Sequence, residues 1–251
     1  MNHSLVFHVG RSGSTVLGDM LNQHSLVHWD NEIYEPVLAA WAKSGELQRR
    51  GNAAEALAFL KARLAKSPKA LYGFEVKFFH LQRFNAPLAM YLEGAEKLGV
   101  RRFIVLRRRN TLRKVVSSLV AHQNNQFHIP ADRQAAPTAI TIDVNSVAID
   151  RDRKPLIAFL EDYESCFGQL RTLLSARAHL ELVYEDHILT DPSVAYRRTC
   201  AFLEINPENP RVRFGRTTPF ALRDVVSNLG EVRQALSGTP FEGMVEDELE
   251  R

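Results

Sequence analysis

The chain predicts an α/β fold, a three-layer α/β/α sandwich around a mainly parallel sheet. Three observations carry this reading. Short β-type runs alternate with longer stretches of helical period along most of the sequence. The first such pair is joined by a tight glycine-containing turn, strand to helix. The chain also has 251 residues, 45% of them hydrophobic, enough to bury one large core. No repeat, low-complexity segment or Gly/Ser linker divides it, so a single domain over 1–251 is expected.

In order, a strand is expected at 4–9 and a helix at 13–23, with Val16, Leu17, Met20 and Leu21 at helical spacing. A short extended piece follows around 26–29. Helices are expected near 35–44 and 53–66, the second with Leu57, Leu60 and Leu64 on one face. Residues 71–78 (LYGFEVKF) alternate as a strand does, and a helix near 87–98 leads to the strand RFIVL at 102–106. Leu112, Val115, Val116, Leu119 and Val120 form an apolar stripe on a helix at 110–122. Residues 123–140 are polar, proline-containing and aperiodic, which predicts a surface loop. Phe159, Leu160, Tyr163, Phe167, Leu170 and Leu174 keep the period of a long helix over about 146–175. A strand at 179–184 and a helix at 192–203 close the core, and the remainder reads as loops plus one short helix near 230–236.

Charge and cysteine content narrow the function classes. Cys166 and Cys200 are the only cysteines, too few for a disulfide framework and without metal-ligand spacing. The apolar runs are too short for a membrane span and no charged-then-apolar leader precedes the first strand, so a cytoplasmic protein without an integral membrane segment is expected. Net charge is +3, but the last eleven residues carry five acids and one arginine, leaving +7 on the rest. Residues 101–114 hold seven basic residues and no acid. A local basic cluster of this kind favours a small polyanionic ligand over a nucleic acid.

Two turns carry the chemistry. Leu5 to Val9 enters Gly10-Arg11-Ser12-Gly13-Ser14-Thr15, and a helix follows at once. Successive backbone N–H groups and a helix N-terminus then converge on one point, which suits an anion and predicts a P-loop-like nucleotide-binding fold. A triphosphate loop of the GxxxxGK[ST] type would place a lysine before the closing hydroxyl. Here Arg11 comes early and Ser14-Thr15 close the turn, so a phosphate-like group is expected rather than ATP with its metal. The second turn follows the strand at 102–106: Arg107-Arg108-Arg109, then Asn110 or Thr111 as helix cap, then Ser117 eight positions after Arg109. An arginine at the strand end and a hydroxyl on the helix can grip one phosphate from two sides, with Arg113 an equal alternative.

These segments together resemble a family. RSGST at 11–15 and the Arg109-x₇-Ser117 pair are similar to the two phosphate motifs of sulfotransferases that use 3′-phosphoadenosine 5′-phosphosulfate (PAPS). A third segment, LVYEDHILTDP at 182–192, is similar to their YEDL-x-x-DP segment, and the agreement covers roughly residues 4–205. The resemblance implies a sulfuryl transfer from PAPS to an acceptor hydroxyl, with PAP as product and no metal. It implies that Arg11, Ser12, Gly13, Ser14 and Thr15 hold the 5′-phosphosulfate, that Arg109 and Ser117 hold the 3′-phosphate, and that Tyr184 contacts the adenine. It places the general base at Glu32, seventeen positions after Thr15, although Asn31 stands where relatives have glycine. Asp30 and Glu35 remain alternatives, Glu35 reading more simply as a helix-start residue beside Pro36. Lys77, at the end of its strand, is expected to act electrostatically near the sulfuryl group. Another branch uses a histidine after this lysine; His80 lies one position too far for that spacing. His8, His24 and His28 read as core or surface histidines.

The resemblance breaks down near the C-terminus. The late R-K-G-x-x-G segment of cytosolic small-molecule sulfotransferases is missing. Residues 211–241 are instead similar to the tails of bacterial enzymes of the carbohydrate and tyrosyl type, with Arg213 and Arg216 as further basic candidates. The acceptor is left open among a glycan, a lipid and a small metabolite, and the oligomeric state is unassigned. Two other classes stay in view: a small-molecule or nucleoside kinase using ATP, and a nucleotide-binding domain without catalysis.

Overall fold

The structure is a computed structural model that describes residues 3–246. In chain order it contains β1 (His3–His8), α1 (Ser14–Gln23), β2 (Val27–Glu32), α2 (Glu35–Lys43), α3 (Ala53–Leu64), β3 (Leu71–Lys77), α4 (Phe78–Arg83), α5 (Leu88–Lys97), β4 (Val100–Arg107) and α6 (Thr111–Gln123). Then follow β5 (Ile129–Pro130), β6 (Val147–Ile149), β7 (Asp152–Lys154), α7 (Leu156–Leu174), β8 (His179–Val183), α8 (Tyr184–His187), α9 (Pro192–Leu203), β9 (Phe214–Gly215), α10 (Leu222–Val225), α11 (Leu229–Leu236) and a 3₁₀ turn at Glu242–Val245. The described residues fall into two compact units, one made of residues 3–107 and 169–211, the other of 108–168 and 212–246.

The first unit is the predicted α/β/α sandwich. Its sheet has the order β2-β3-β1-β4-β8 and every pairing is parallel. Every residue of β1 is buried, as a central strand covered on both faces must be. On one face Val6, Ile104, Leu106 and Leu182 pack with Leu17, Met20 and Leu21 of α1 and with Tyr196 and Cys200 of α9. On the other face α5 packs against β4, and α3 against α5. The chain leaves β1 for β2 on one side and later crosses to β4 and β8 on the other, so the carboxyl end of β1 lies where the winding reverses.

A tryptophan is packed against this sheet through two glycines. A Cβ at Gly73 would lie 2.2 Å from the Trp29 ring, and one at Gly18 would lie 2.6 Å from Trp29 Nε1. Gly73 on β3 is register-paired with Trp29 on β2. The missing Cβ atoms leave room for the indole, only 3% exposed, beside Gly18 of α1 and Gly73 of β3.

The second unit is built on α6. Asn110 caps this helix by accepting the Arg113 N–H at 3.0 Å, which decides between the two expected caps. Lys114 is fully buried and donates to Asp150 and to the Tyr163 hydroxyl, so its charge is compensated. The segment expected to begin a long helix at 146 instead forms the β6–β7 hairpin. Its two turn residues, Asp150 and Arg151, have φ of 52° and 59°, the left-handed pair of a tight hairpin turn. Pro155 then precedes the first residue of α7. The expected loop at 123–140 is largely irregular but pairs β5 antiparallel with β9. Of the acidic C-terminal residues, Glu242 and Glu246 are described; Asp247, Glu248, Glu250 and Arg251 lie outside the described residues.

Among the described residues no helix is long and apolar enough to cross a membrane. The close approach of Trp29 to Gly73 gives a test of the packing. Gly73→Ala is expected to destabilise the protein by about 1–3 kcal/mol through overpacking, read as a lower denaturant midpoint at unchanged slope. An unchanged midpoint would mean that the indole is not held against the strand.

Candidate functional site

The carboxyl ends of β1, β2 and β3, three adjacent strands, carry the turn at residues 10–15, Glu32 and Lys77. After β1 the chain turns through Gly10 (φ 78°), Arg11 (φ 54°) and Gly13 (φ 85°), all left-handed. Gly13 is doubly constrained. Besides its φ, a Cβ there would meet Ile188 Cγ2 at 2.7 Å. Arg11 holds a conformation that a non-glycine residue adopts only at a cost, which at a ligand loop is a mark of function. Gly13 caps α1 without any side-chain bond, so the first N–H groups of the helix rely on no capping side chain. Ser12 Oγ is buried with no hydrogen-bond partner among the described residues, an unusual state inside a protein. Turn, helix start and buried hydroxyl together form an arrangement that suits an anion.

Glu32 ends β2 and Lys77 ends β3. Their side chains form an ion pair, Nζ to Oε2 at 2.6 Å, 15% and 26% exposed. The register between these strands shifts between Trp29 and Glu32, so that Glu32 pairs with Glu75. The extra residue is accommodated at Asn31, whose φ is 34°. This explains the residue type there: the bulge needs left-handed backbone, which glycine takes freely and asparagine tolerates. The Lys77 stem also passes Gly10, where a Cβ would lie 3.6 Å from Lys77 Cδ. Loop, lysine and carboxylate are thus brought together.

The alternative bases are otherwise engaged. Asp30 accepts from Arg63 Nε at 2.6 Å, from the Arg63 terminal nitrogen and from the Tyr72 hydroxyl. Burial, then the Asp30 carboxylate, push the Tyr72 hydroxyl well above its ordinary range, so it remains a donor. Glu35 opens α2 beside Pro36 and lies 3.6 Å from His80 Nε2. His80 is fully buried, and its Nδ1 accepts the Lys77 N–H at 3.1 Å at the start of α4. That short helix has no counterpart in the hydrophobic pattern, because a histidine ring serves as its cap.

Tyr184 begins α8 and is 9% exposed, packed in the cluster that includes α1 and β8. The Ser14 hydroxyl hydrogen-bonds to Glu75, so the contribution left for an anion is its backbone N–H. Thr15 is half-buried in the first turn of α1. In the second unit Arg109 is exposed, whereas Ser117 is buried with Thr217 Oγ1 at 3.5 Å and the Thr218 hydroxyl at 3.4 Å. Arg113, the alternative contact, is buried and donates to the Phe220 carbonyl at 2.5 Å.

Sequence reasoning missed what lies beneath the turn. Glu75, inside β3, is 2% exposed. Its Oε1 accepts from Trp29 Nε1 at 2.8 Å, and its Oε2 lies 3.2 Å from Nε2 of the fully buried His8. Burial, the largest influence, opposes its charge, but the contacts with His8, Trp29 and Ser14 outweigh burial and hold the carboxyl below its ordinary value. The signal was present as a glutamate between Phe74 and Val76 in an otherwise apolar strand. Two sets of donors, His8 with Glu32 and Glu75, and Glu32 with Glu35 and His80, lie within 4.8 Å of one another. Both share Glu32, and the Lys77 ammonium already supplies positive charge there. Neither set carries a metal assignment.

No protein-family model matches the chain, and a search of curated proteins finds no match.

The lowered Glu75 value sets a pH dependence. A carboxyl ionised more readily in the folded chain contributes stability that is complete above the unfolded value, about 4.5, and is lost as pH falls through the folded value. Thermal melts of wild type should therefore fall more steeply on acidification below pH 4.5 than those of Glu75→Gln. Parallel curves would remove the assignment.

Proposed function

We propose that this protein is a sulfotransferase that moves a sulfuryl group from PAPS to an acceptor hydroxyl. The observation that carries the reading is the meeting of the Gly10–Thr15 turn, Lys77 and Glu32 at the ends of three neighbouring strands. The resemblance of RSGST, of Arg109 with Ser117 and of the YED segment to the family's motifs points the same way. Sulfuryl transfer is an in-line displacement in which the protein positions two partners and stabilises charge on a leaving phosphate. That calls for an anion cradle, cations at the leaving oxygen and a base at the attacking one.

The roles follow from chemistry. The acceptor oxygen forms a bond to sulfur as the bond from sulfur to the 5′-phosphate oxygen breaks. The acceptor proton passes to Glu32, and the electron pair leaves with the phosphate. Arg11 and Lys77 neutralise that charge, and the backbone of Ser12, Gly13, Ser14 and Thr15 cradles it. Arg109 and Ser117 are the residues proposed for the 3′-phosphate, and Tyr184 for the adenine. Glu32 is preferred as base over Asp30, which Arg63 and Tyr72 hold, and over the buried His80.

Calorimetry with PAP and with ATP plus Mg²⁺ separates this from phosphoryl transfer: PAP should bind and ATP with Mg²⁺ should bind more weakly, the reverse order favouring a kinase. Transfer of radiolabelled sulfate from PAPS into a cell extract then finds the acceptor. Glu32→Gln is expected to keep PAP affinity while turnover drops by about 10²–10⁴-fold; near-full activity would move the base elsewhere. Arg109→Ala should weaken PAP far more than adenosine 5′-phosphosulfate, which lacks the 3′-phosphate, and equal losses would remove that role.

A further inference from the structure

The turn at Gly10–Ser14 is attached at both ends to one buried carboxylate. At its exit Ser14 is one of the side chains whose hydrogen bonding lowers the Glu75 carboxyl. At its entry the Gly10 N–H donates to His8 Nδ1 at 3.0 Å, and the other ring nitrogen of His8 faces Glu75 Oε2 at 3.2 Å. A backbone N–H can only donate, so Nδ1 must present a lone pair. The ring proton is then on Nε2, which makes no hydrogen bond of regular geometry among the described residues and has the Glu75 carboxylate, an acceptor only, as its charged neighbour. The remaining carboxylate oxygen is held by Trp29 Nε1, itself admitted by Gly18 and Gly73.

We infer that Glu75 is a positioning residue for the anion turn, fixing His8 as its Nε2–H tautomer so that Nδ1 holds the Gly10 amide while Ser14 is held at the other end. The turn contains three left-handed residues, Gly10, Arg11 and Gly13, and two of its ends are tied to the same point. For Arg11, the non-glycine residue among them, such backbone persists only where its surroundings over-determine it, and these two attachments contribute to that. Glutamine at 75 is the informative replacement. With its carbonyl oxygen still accepting from Trp29, its amide turns N–H groups toward His8. Nε2 must then accept, the proton moves to Nδ1, and the Gly10 N–H loses its acceptor. The inference rests on the turn as an anion cradle but not on sulfuryl chemistry.

The test is nitrogen-15 NMR of the imidazole rings with amide hydrogen exchange, on the full chain at neutral pH without added nucleotide. Wild type should show His8 with its proton on Nε2. Glu75→Gln should show it on Nδ1, with Gly10 exchanging about tenfold faster. Trp29→Phe, which removes a donor without touching His8, should leave the tautomer unchanged. Inorganic pyrophosphate, as a probe of the turn alone, should bind Glu75→Gln about tenfold more weakly than wild type. A doubly protonated or Nδ1–H ring in the wild type overturns the inference, and needs no variant to fold. Unchanged Gly10 exchange in Glu75→Gln overturns it as well. Wild type with the Nε2–H ring and no affinity for PAP leaves the inference standing and sinks the sulfotransferase reading.

Discussion

Glu75 lies inside the sheet at 2% exposure, where an uncompensated charge would be severely penalised, so each neighbour of its two oxygens is under constraint. Trp29 must bring its indole N–H across β3, which requires that residues 18 and 73 have no side chain. His8 must turn one nitrogen inward, which leaves the other for the turn above. Ser14 must point its hydroxyl down into the fold. Satisfying one carboxylate therefore fixes a helix face, a strand residue and both ends of a loop.

The same strand carries the rim. Lys77 lies two residues beyond Glu75 on β3, so by strand alternation both side chains leave the same face, one in the interior and the other at the edge. Glu32 reaches Lys77 because β2 gains a residue at Asn31 before pairing with Glu75. Without that bulge the register running from Val27 to Trp29 would continue and Glu32 would pair one position later. The backbone irregularity and the ion pair are thus one feature seen at two levels.

Much of this was legible in the sequence because it was written in periodicity. β1 and β4 are each built around a continuous apolar stretch, Leu5–Phe7 and Phe103–Leu106, buried as strands covered on both faces must be, and α6 and α9 keep helical spacing. The strand β2 was harder. Its sequence, VHWDNE, is polar because Asp30 serves Arg63 and Tyr72, and Glu32 serves Lys77. The helix expected from 146 failed because Asp150 and Arg151 adopt left-handed backbone, which apolar spacing cannot reveal. Glu32, Lys77 and the turn could be found from their places at strand ends. Glu75, His8 and Trp29 could not be joined, since their contacts cross three strands that are far apart in the chain.

The residues at the rim also explain why a turn of this kind can work with arginine where a triphosphate loop has its lysine. In a GxxxxGK[ST] loop one lysine and a metal share the neutralisation of a triphosphate. Here the turn spends its Gly10 N–H on His8, while the Ser12 hydroxyl is buried with no hydrogen-bond partner among the described residues. The ammonium comes from another strand, through Lys77, already beside a carboxylate rather than in the loop. A cation delivered with its own carboxylate partner places acid–base chemistry and anion stabilisation within one side chain's reach. A strained turn with no lysine of its own, flanked by a Lys–Glu pair from two other strands, is a different arrangement of charge from that of a GxxxxGK[ST] loop.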